Sequence, residues 1–106
     1  MYDKEKIVKG ILDLAGRKFP NSEIYLFGSQ ANETAKKISD WDILILLDSD
    51  NVPLSKEIAI MDDFYDLELQ AGAVISPIVY SKSYWNKTRR STLLYEKISN
   101  DAVRIK

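Results

Sequence analysis

Cysteine and histidine are both missing from this chain of 106 residues. Without cysteine there can be no disulfide and no zinc–thiolate site. Without histidine the usual general base and the commonest transition-metal ligand are gone. Any catalysis must then draw on carboxylates, hydroxyls, lysines or a bound metal ion. An excess of one charge is missing as well. The 15 Lys and Arg stand against 16 Asp and Glu, a net charge of −1, which offers no general attraction to nucleic acid or to a membrane. No stretch is long and apolar enough to span a bilayer, and Met1-Tyr2-Asp3-Lys4-Glu5-Lys6 lacks the apolar core of a signal peptide. The cytoplasm is the expected compartment. Low-complexity runs, internal repeats and interdomain linkers are also absent from the sequence.

What remains is ordinary globular composition, 45% hydrophobic and 29% charged, which is read as one domain over residues 1–106. A chain of this size hides about two-thirds of the surface its unfolded form exposes, enough to fold alone with little core to spare. Ile7, Ile11, Leu14 and Ala15 recur at helical spacing and predict a helix over residues 3–18, ended by Pro20-Asn21. Glu23 to Phe27 reads as a strand stopped by Gly28, with a short helix from Ser29 to about Ala35. Trp41 to Leu47 is apolar on both faces beyond Asp42, the mark of a central strand covered on both sides.

Past the turn cluster Asp48-Ser49-Asp50-Asn51, Pro53 sits near the start of a further helix that runs to about Gln70 and is stopped by Gly72. Its stripe Ile58, Met61, Tyr65 and Leu69 is read as core or as a dimer face. Ala73 to Tyr80 is the third strand, where Pro77 removes a ladder donor and predicts an edge position or a bulge. Ser81 caps a short helix through Trp85, Ser91 or Thr92 caps another through about Ser99, and residues 102–106 pair as a last short strand. The order αβαβαβα predicts an α/β (α+β) fold, a small mixed sheet of three to four strands packed with helices.

Chemistry concentrates in two places. Gly28-Ser29 closes one strand, and a Gly-Ser turn leading into a helix offers free backbone N–H groups to a phosphate. Ten residues beyond Ser29, Ser39-Asp40-Trp41-Asp42 opens the next strand. Asp40 and Asp42 are spaced i, i+2 and share a strand face. Two such carboxylates repel unless a cation or a proton lies between them, and hard oxygens suit Mg²⁺, which commonly carries substrate phosphates. Each motif also has a plain structural reading. Ser29 can simply cap a helix, and Ser39 and Asp40 can be turn residues at a solvated strand entry. Trp41 opposes the aspartates in parity and is read as packing. Lys82, Lys87, Arg89 and Arg90 beside Tyr84 and Trp85 form either a nucleotide or acceptor clamp, or a solvated basic helix end with its aromatics turned inward.

The run Gly28-Ser29-x-Ala31-x-x-x-Ala35-x-x-x-Ser39-Asp40-x-Asp42 resembles the minimal nucleotidyltransferase (MNT) family of the polymerase-β-like nucleotidyltransferase superfamily. The likeness is strongest from Glu23 through Leu47. It implies phosphate binding by Gly28, Ser29 and Ser39, and coordination of Mg²⁺ or Mn²⁺ by Asp40 and Asp42 as the catalytic pair. The implied reaction moves a nucleoside monophosphate from a triphosphate, ATP foremost, to an acceptor hydroxyl. Family members often pair with a HEPN-domain ribonuclease toxin and act as its antitoxin, some by transferring AMP to a toxin tyrosine. A homo-oligomer also fits, whereas a nucleic-acid partner and a membrane do not.

The sequence departs from that family in one place that bears on activity. Active members carry a third carboxylate on the strand after Asp-x-Asp, and here that strand, Ala73 to Tyr80, holds no acid, with Ser76 at the expected position. Asp48 shares the parity of Asp40 and Asp42 but lies about 20 Å along the strand from Asp42. The turn holds Asn32 and Glu33 where an arginine and a glycine are common in the family. The alternative to an enzyme is therefore a non-catalytic binding or antitoxin module that neutralises or scaffolds a partner protein.

Overall fold

The computed structural model describes residues 4–27, 41–87 and 92–106. The elements in chain order are α1 Lys4–Lys18, β1 Glu23–Phe27, β2 Trp41–Leu47, α2 Leu54–Ala71, β3 Ile75–Ser81, α3 Lys82–Lys87, α4 Leu93–Asp101 and β4 Val103–Arg104. The helix expected over 29–35 and the cap expected at Ser91 lie outside the described residues. Local chemistry sets most of the boundaries. Pro53 takes the N-cap position of α2, and Gly72 ends that helix at φ 69°, its N–H donating to the Glu68 carbonyl, a left-handed turn that costs glycine little. Thr92 caps α4 by accepting the Tyr95 N–H at 3.2 Å. Ser81 accepts the Tyr84 N–H at 3.0 Å at the entry to α3.

The four strands form one mixed sheet in the order β3-β2-β1-β4. β1 runs antiparallel to β2 and to β4, while β2 and β3 are parallel. The parallel pair requires a crossover, and α2 supplies it. β3 is thus an edge strand, as Pro77 predicts. The Trp41 N–H donates to the Val74 carbonyl at 2.8 Å. Alternation along the ladder then directs the backbone groups of Ser76, Ile78 and Tyr80 to β2, and those of Ile75, Pro77 and Val79 outward. The proline ring therefore falls where no sheet hydrogen bond is lost.

Helices cover both faces of β2. On one face Ile24, Leu26, Trp41, Ile43, Ile45, Leu47, Ile75 and Val79 pack with Ile7, Ile11 and Leu14 of α1 and Ile60 and Phe64 of α2. Gly10 permits the close approach of the two helices, since a Cβ there would stand 2.9 Å from Leu67 Cδ1. On the other face Phe27, Leu44 and Leu46 pack with Trp85 of α3 and Ile98 of α4. Trp41 is wholly buried in the first cluster, so it is packing, as its parity indicates. The stripe on α2, expected as core or a dimer face, is not core except at Met61, which packs against the core partly buried. Ile60 and Phe64 face the core, whereas Ile58, Tyr65 and Leu69 are exposed. Both rows satisfy helical spacing, and the row packed against α1 and the sheet is the one whose aromatic, Phe64, has no hydroxyl to bury.

Candidate functional site

The alternation of β2 puts Asp42 on the same face as Leu44 and Leu46, the face covered by α3 and α4. Asp42 stands at the start of this strand, half-buried. Two neighbours are fixed by register. On the antiparallel side Asp42 is opposite Phe27, and on the parallel side it is beside Ser76. Adjacent strands lie about 4.8 Å apart, so the Asp42 carboxylate and the Ser76 hydroxyl share one face as direct neighbours. The third strand thus presents a neutral hydroxyl next to Asp42, at the position the sequence assigns to Ser76.

Gly28, Ser29, Ser39 and Asp40 lie outside the described residues. Their attachment points do not. Phe27 precedes Gly28 in the chain and pairs with Asp42, while Trp41 follows Asp40 and opens β2. The described residues on either side, Phe27 and Trp41, therefore both lie at the corner that holds Asp42 and Ser76. Phe27, which immediately precedes Gly28, is the described residue of β1 nearest to Asp42, and its side chain is buried in the core.

Other carboxylates do not join this corner. Glu68 of α2 accepts the Ile75 N–H at 2.7 Å, on the outward edge of β3 rather than on the side of β2. Asp48 follows the far end of β2. Among the described residues no cluster of three or more His, Cys, Asp or Glu is placed to hold a metal ion. The described donors are one carboxylate and one hydroxyl, both hard oxygens. That set fits a Mg²⁺ that keeps waters and brings phosphate oxygens with its substrate, and does not amount to an all-protein cage.

Farther along the same face, Glu23 pairs in register with Leu46. Its carboxylate accepts the Tyr25 hydroxyl at 2.6 Å and meets Lys82 Nζ at 3.4 Å and Arg104 at 4.0 Å. The Tyr25 hydrogen bond, aided by the two cations and opposed by partial burial, holds the Glu23 carboxyl below its ordinary range. Burial and the neighbouring carboxylate push the Tyr25 phenol up. A cavity of about 200 Å³ adjoins this cluster, walled by Tyr25, Leu44, Leu46, Trp85 and Tyr95. Lys82 also donates to the Asn21 carbonyl at 3.1 Å, and Trp85 is buried with its ring centroid 5.5 Å from that of Tyr80 and 5.1 Å from that of Tyr95. Of the two aromatics expected to turn inward, Trp85 does and Tyr84 is exposed; Arg89 and Arg90 lie outside the described residues.

Among known proteins, the sequence matches the family described as nucleotidyltransferase domain over residues 8–103. No curated protein gives a significant sequence match. Among solved structures, a toxin–antitoxin with AMP-PNP superposes with a TM-score of 0.70 at 22% identity, covering 93% of this chain and 72% of that one. The MntA-HepT toxin–antitoxin superposes with a TM-score of 0.64 at 19% identity, covering 97% of this chain and 72% of that one. The mixed sheet and its flanking helices are thus a fold shared with these structures. Among the described residues no helix is long and apolar enough to cross a membrane.

Proposed function

The chain belongs to the nucleotidyltransferase domain family, and from that premise we propose that it binds ATP with a divalent cation and transfers AMP to a hydroxyl of a partner protein. The partner is a HEPN-domain toxin, with this chain as its antitoxin. The observation that carries the site is the register that sets Asp42 between Phe27 and Ser76. Support for the nucleotide and the partner comes from fold neighbours described as a toxin–antitoxin with AMP-PNP and as MntA-HepT.

In this reading Asp42 and Asp40 hold Mg²⁺ or Mn²⁺. When bound, that ion neutralises charge on the triphosphate. Gly28, Ser29 and Ser39 receive the phosphates through N–H and hydroxyl donors. The Ser76 hydroxyl, beside Asp42, donates to a phosphate oxygen or to a water. The acceptor oxygen forms a bond to the α-phosphorus, the bond to the β-phosphate oxygen breaks, pyrophosphate leaves, and the acceptor proton passes to solvent. Positioning and charge neutralisation carry the rate in such transfers.

Ser76 also favours a second reading. A neutral hydroxyl where active relatives place an acid weakens the hold on a metal near the attacking oxygen and removes a base. On that reading the domain neutralises its partner by contact alone. Calorimetric titration of ATP in Mg²⁺ and then in EDTA, on wild type, Asp40→Asn and Asp42→Asn, separates the two. Binding that needs Mg²⁺ and both aspartates supports the transferase. Absence of binding by ATP and by the other triphosphates leaves the contact module.

A further inference from the structure

The outward face of α2 carries Leu54, Ile58, Tyr65 and Leu69, which are 70%, 51%, 59% and 67% exposed. Successive helical positions turn by about 100°, so these four fall in one narrow strip, with the half-buried Met61 at its edge. The helix spans 18 residues, about 27 Å. Scattered exposed leucines are unremarkable on a surface, but four large apolar side chains in one row are a patch. It adjoins a groove of about 550 Å³ along the outer edge of β3, reached through Met61 and Glu57 and lined by Pro77, Val79 and Tyr84.

The borders of the strip decide what it fits. By the same turn angle, Asp62 and Asp66 run along one side, and Glu57 and Glu68 along the other. The only base of the helix, Lys56, falls on the opposite side. Among the described residues none of the four acids is ion-paired, although the Glu68 carboxylate accepts the Ile75 N–H at 2.7 Å and leaves Glu57 as the freer acid on its side. The chain as a whole is nearly neutral, so these four acids are a local excess; Asp63, the fifth acid of the helix, falls on the far side beside Lys56. Two copies packed strip to strip would set acidic rims against acidic rims, in parallel or antiparallel, at a cost.

We propose that the outward face of α2 is the docking surface for a partner protein that presents an apolar helical ridge bordered by Lys and Arg. The apolar row supplies the buried contact and the two acidic borders select a basic rim. The surface lies across the sheet from Asp42, so docking leaves the Asp42–Ser76 corner open. The inference rests on the partner-protein half of the proposed function and is independent of the transfer chemistry.

The probe is a helical peptide of about 20 residues with Leu at its a and d positions and Lys at e and g, compared with a twin carrying Glu at e and g. Calorimetry against the full chain is expected to show the Lys peptide binding at least about tenfold tighter than the Glu peptide. Tyr65→Glu and Ile58→Glu, at exposed positions whose fold is checked by circular dichroism, lose that binding. The double variant Asp62→Lys, Asp66→Lys reverses the preference between the peptides. Asp42→Asn binds the Lys peptide like wild type, so failure of the nucleotide site and failure of this surface are told apart. Equal binding of the two peptides, or none, overturns the proposal. So does a wild-type dimer in sedimentation that Ile58→Glu converts to monomer, because the face is then taken by a second copy.

Discussion

Ser76 is the direct neighbour of Asp42 in the parallel ladder between β2 and β3. Strand alternation puts their side chains on one face, so the β3 neighbour of Asp42 is a hydroxyl and not a second carboxylate.

The first prediction follows from that pair. Ser76→Asp places two carboxylates on adjacent strands, where they repel unless a cation lies between them. Its Tm is expected to fall below that of wild type in EDTA and to recover in Mg²⁺. Its affinity for Mn²⁺ is expected to rise by at least about tenfold. Thermal unfolding with and without metal, and Mn²⁺ titration, check both. Equal melting in EDTA and Mg²⁺ means the two side chains do not share a site.

A second prediction concerns the orientation of α2. Phe64 is buried, 6.3 Å from Phe19 by ring centroids, while Tyr65 beside it is exposed. Phe64→Ala should cost about 3–5 kcal/mol, and Tyr65→Ala no more than about 0.5 kcal/mol. Urea unfolding of both variants gives the comparison, and similar costs would reverse the assignment of faces.

That helix also marks where the sequence stops being sufficient. Its row Ile58, Met61, Tyr65 and Leu69 and its row Ile60, Phe64, Leu67 and Ala71 both keep helical spacing, so periodicity alone does not say which faces inward. Contact with α1 and the sheet does. Elsewhere local signals suffice: Gly72 at a helix end and β2 covered on both faces follow from residue chemistry, whereas the structure selects an edge over a bulge at Pro77 and Thr92 over Ser91 as the cap of α4. The neighbourhood of Asp42 and Ser76 was legible as a position on the following strand, with help from family resemblance. Its register is a property of the α2 crossover, because no tight turn links the two strands. Gly28, Ser29, Ser39 and Asp40 stay sequence-based assignments.

The turn after α2 gives a third prediction. A Cβ at Gly72 meets nothing within 4 Å, but φ is +69°, a region that L side chains other than Asn and Asp rarely adopt. Gly72→Ala is expected to lower stability by about 1 kcal/mol, and Gly72→Asn by less. Equilibrium unfolding of the pair checks this. A loss caused by crowding would instead grow with side-chain size, making Asn the worse of the two.

The fourth prediction is a pH dependence centred on Glu23 and Tyr25. The folded state lowers the Glu23 carboxyl from its ordinary value of 4.5, chiefly through the Tyr25 hydrogen bond. That stabilisation is complete above the ordinary value and is lost as pH falls through the lowered one. The folded state raises the Tyr25 phenol from its ordinary value of 10.0, chiefly by burial. That contribution is complete below the ordinary value and is lost as pH rises through the raised one. From this pair, stability is expected to be flat from about pH 6 to 9 and to fall on both sides. Glu23→Gln should flatten part of the acid limb, and Tyr25→Phe part of the alkaline limb. Both side chains are partly solvated, so each effect should stay below about 1 kcal/mol. Urea midpoints from pH 3 to 11 for the three proteins provide the test, and an acid limb unchanged by Glu23→Gln would assign that limb to other carboxylates.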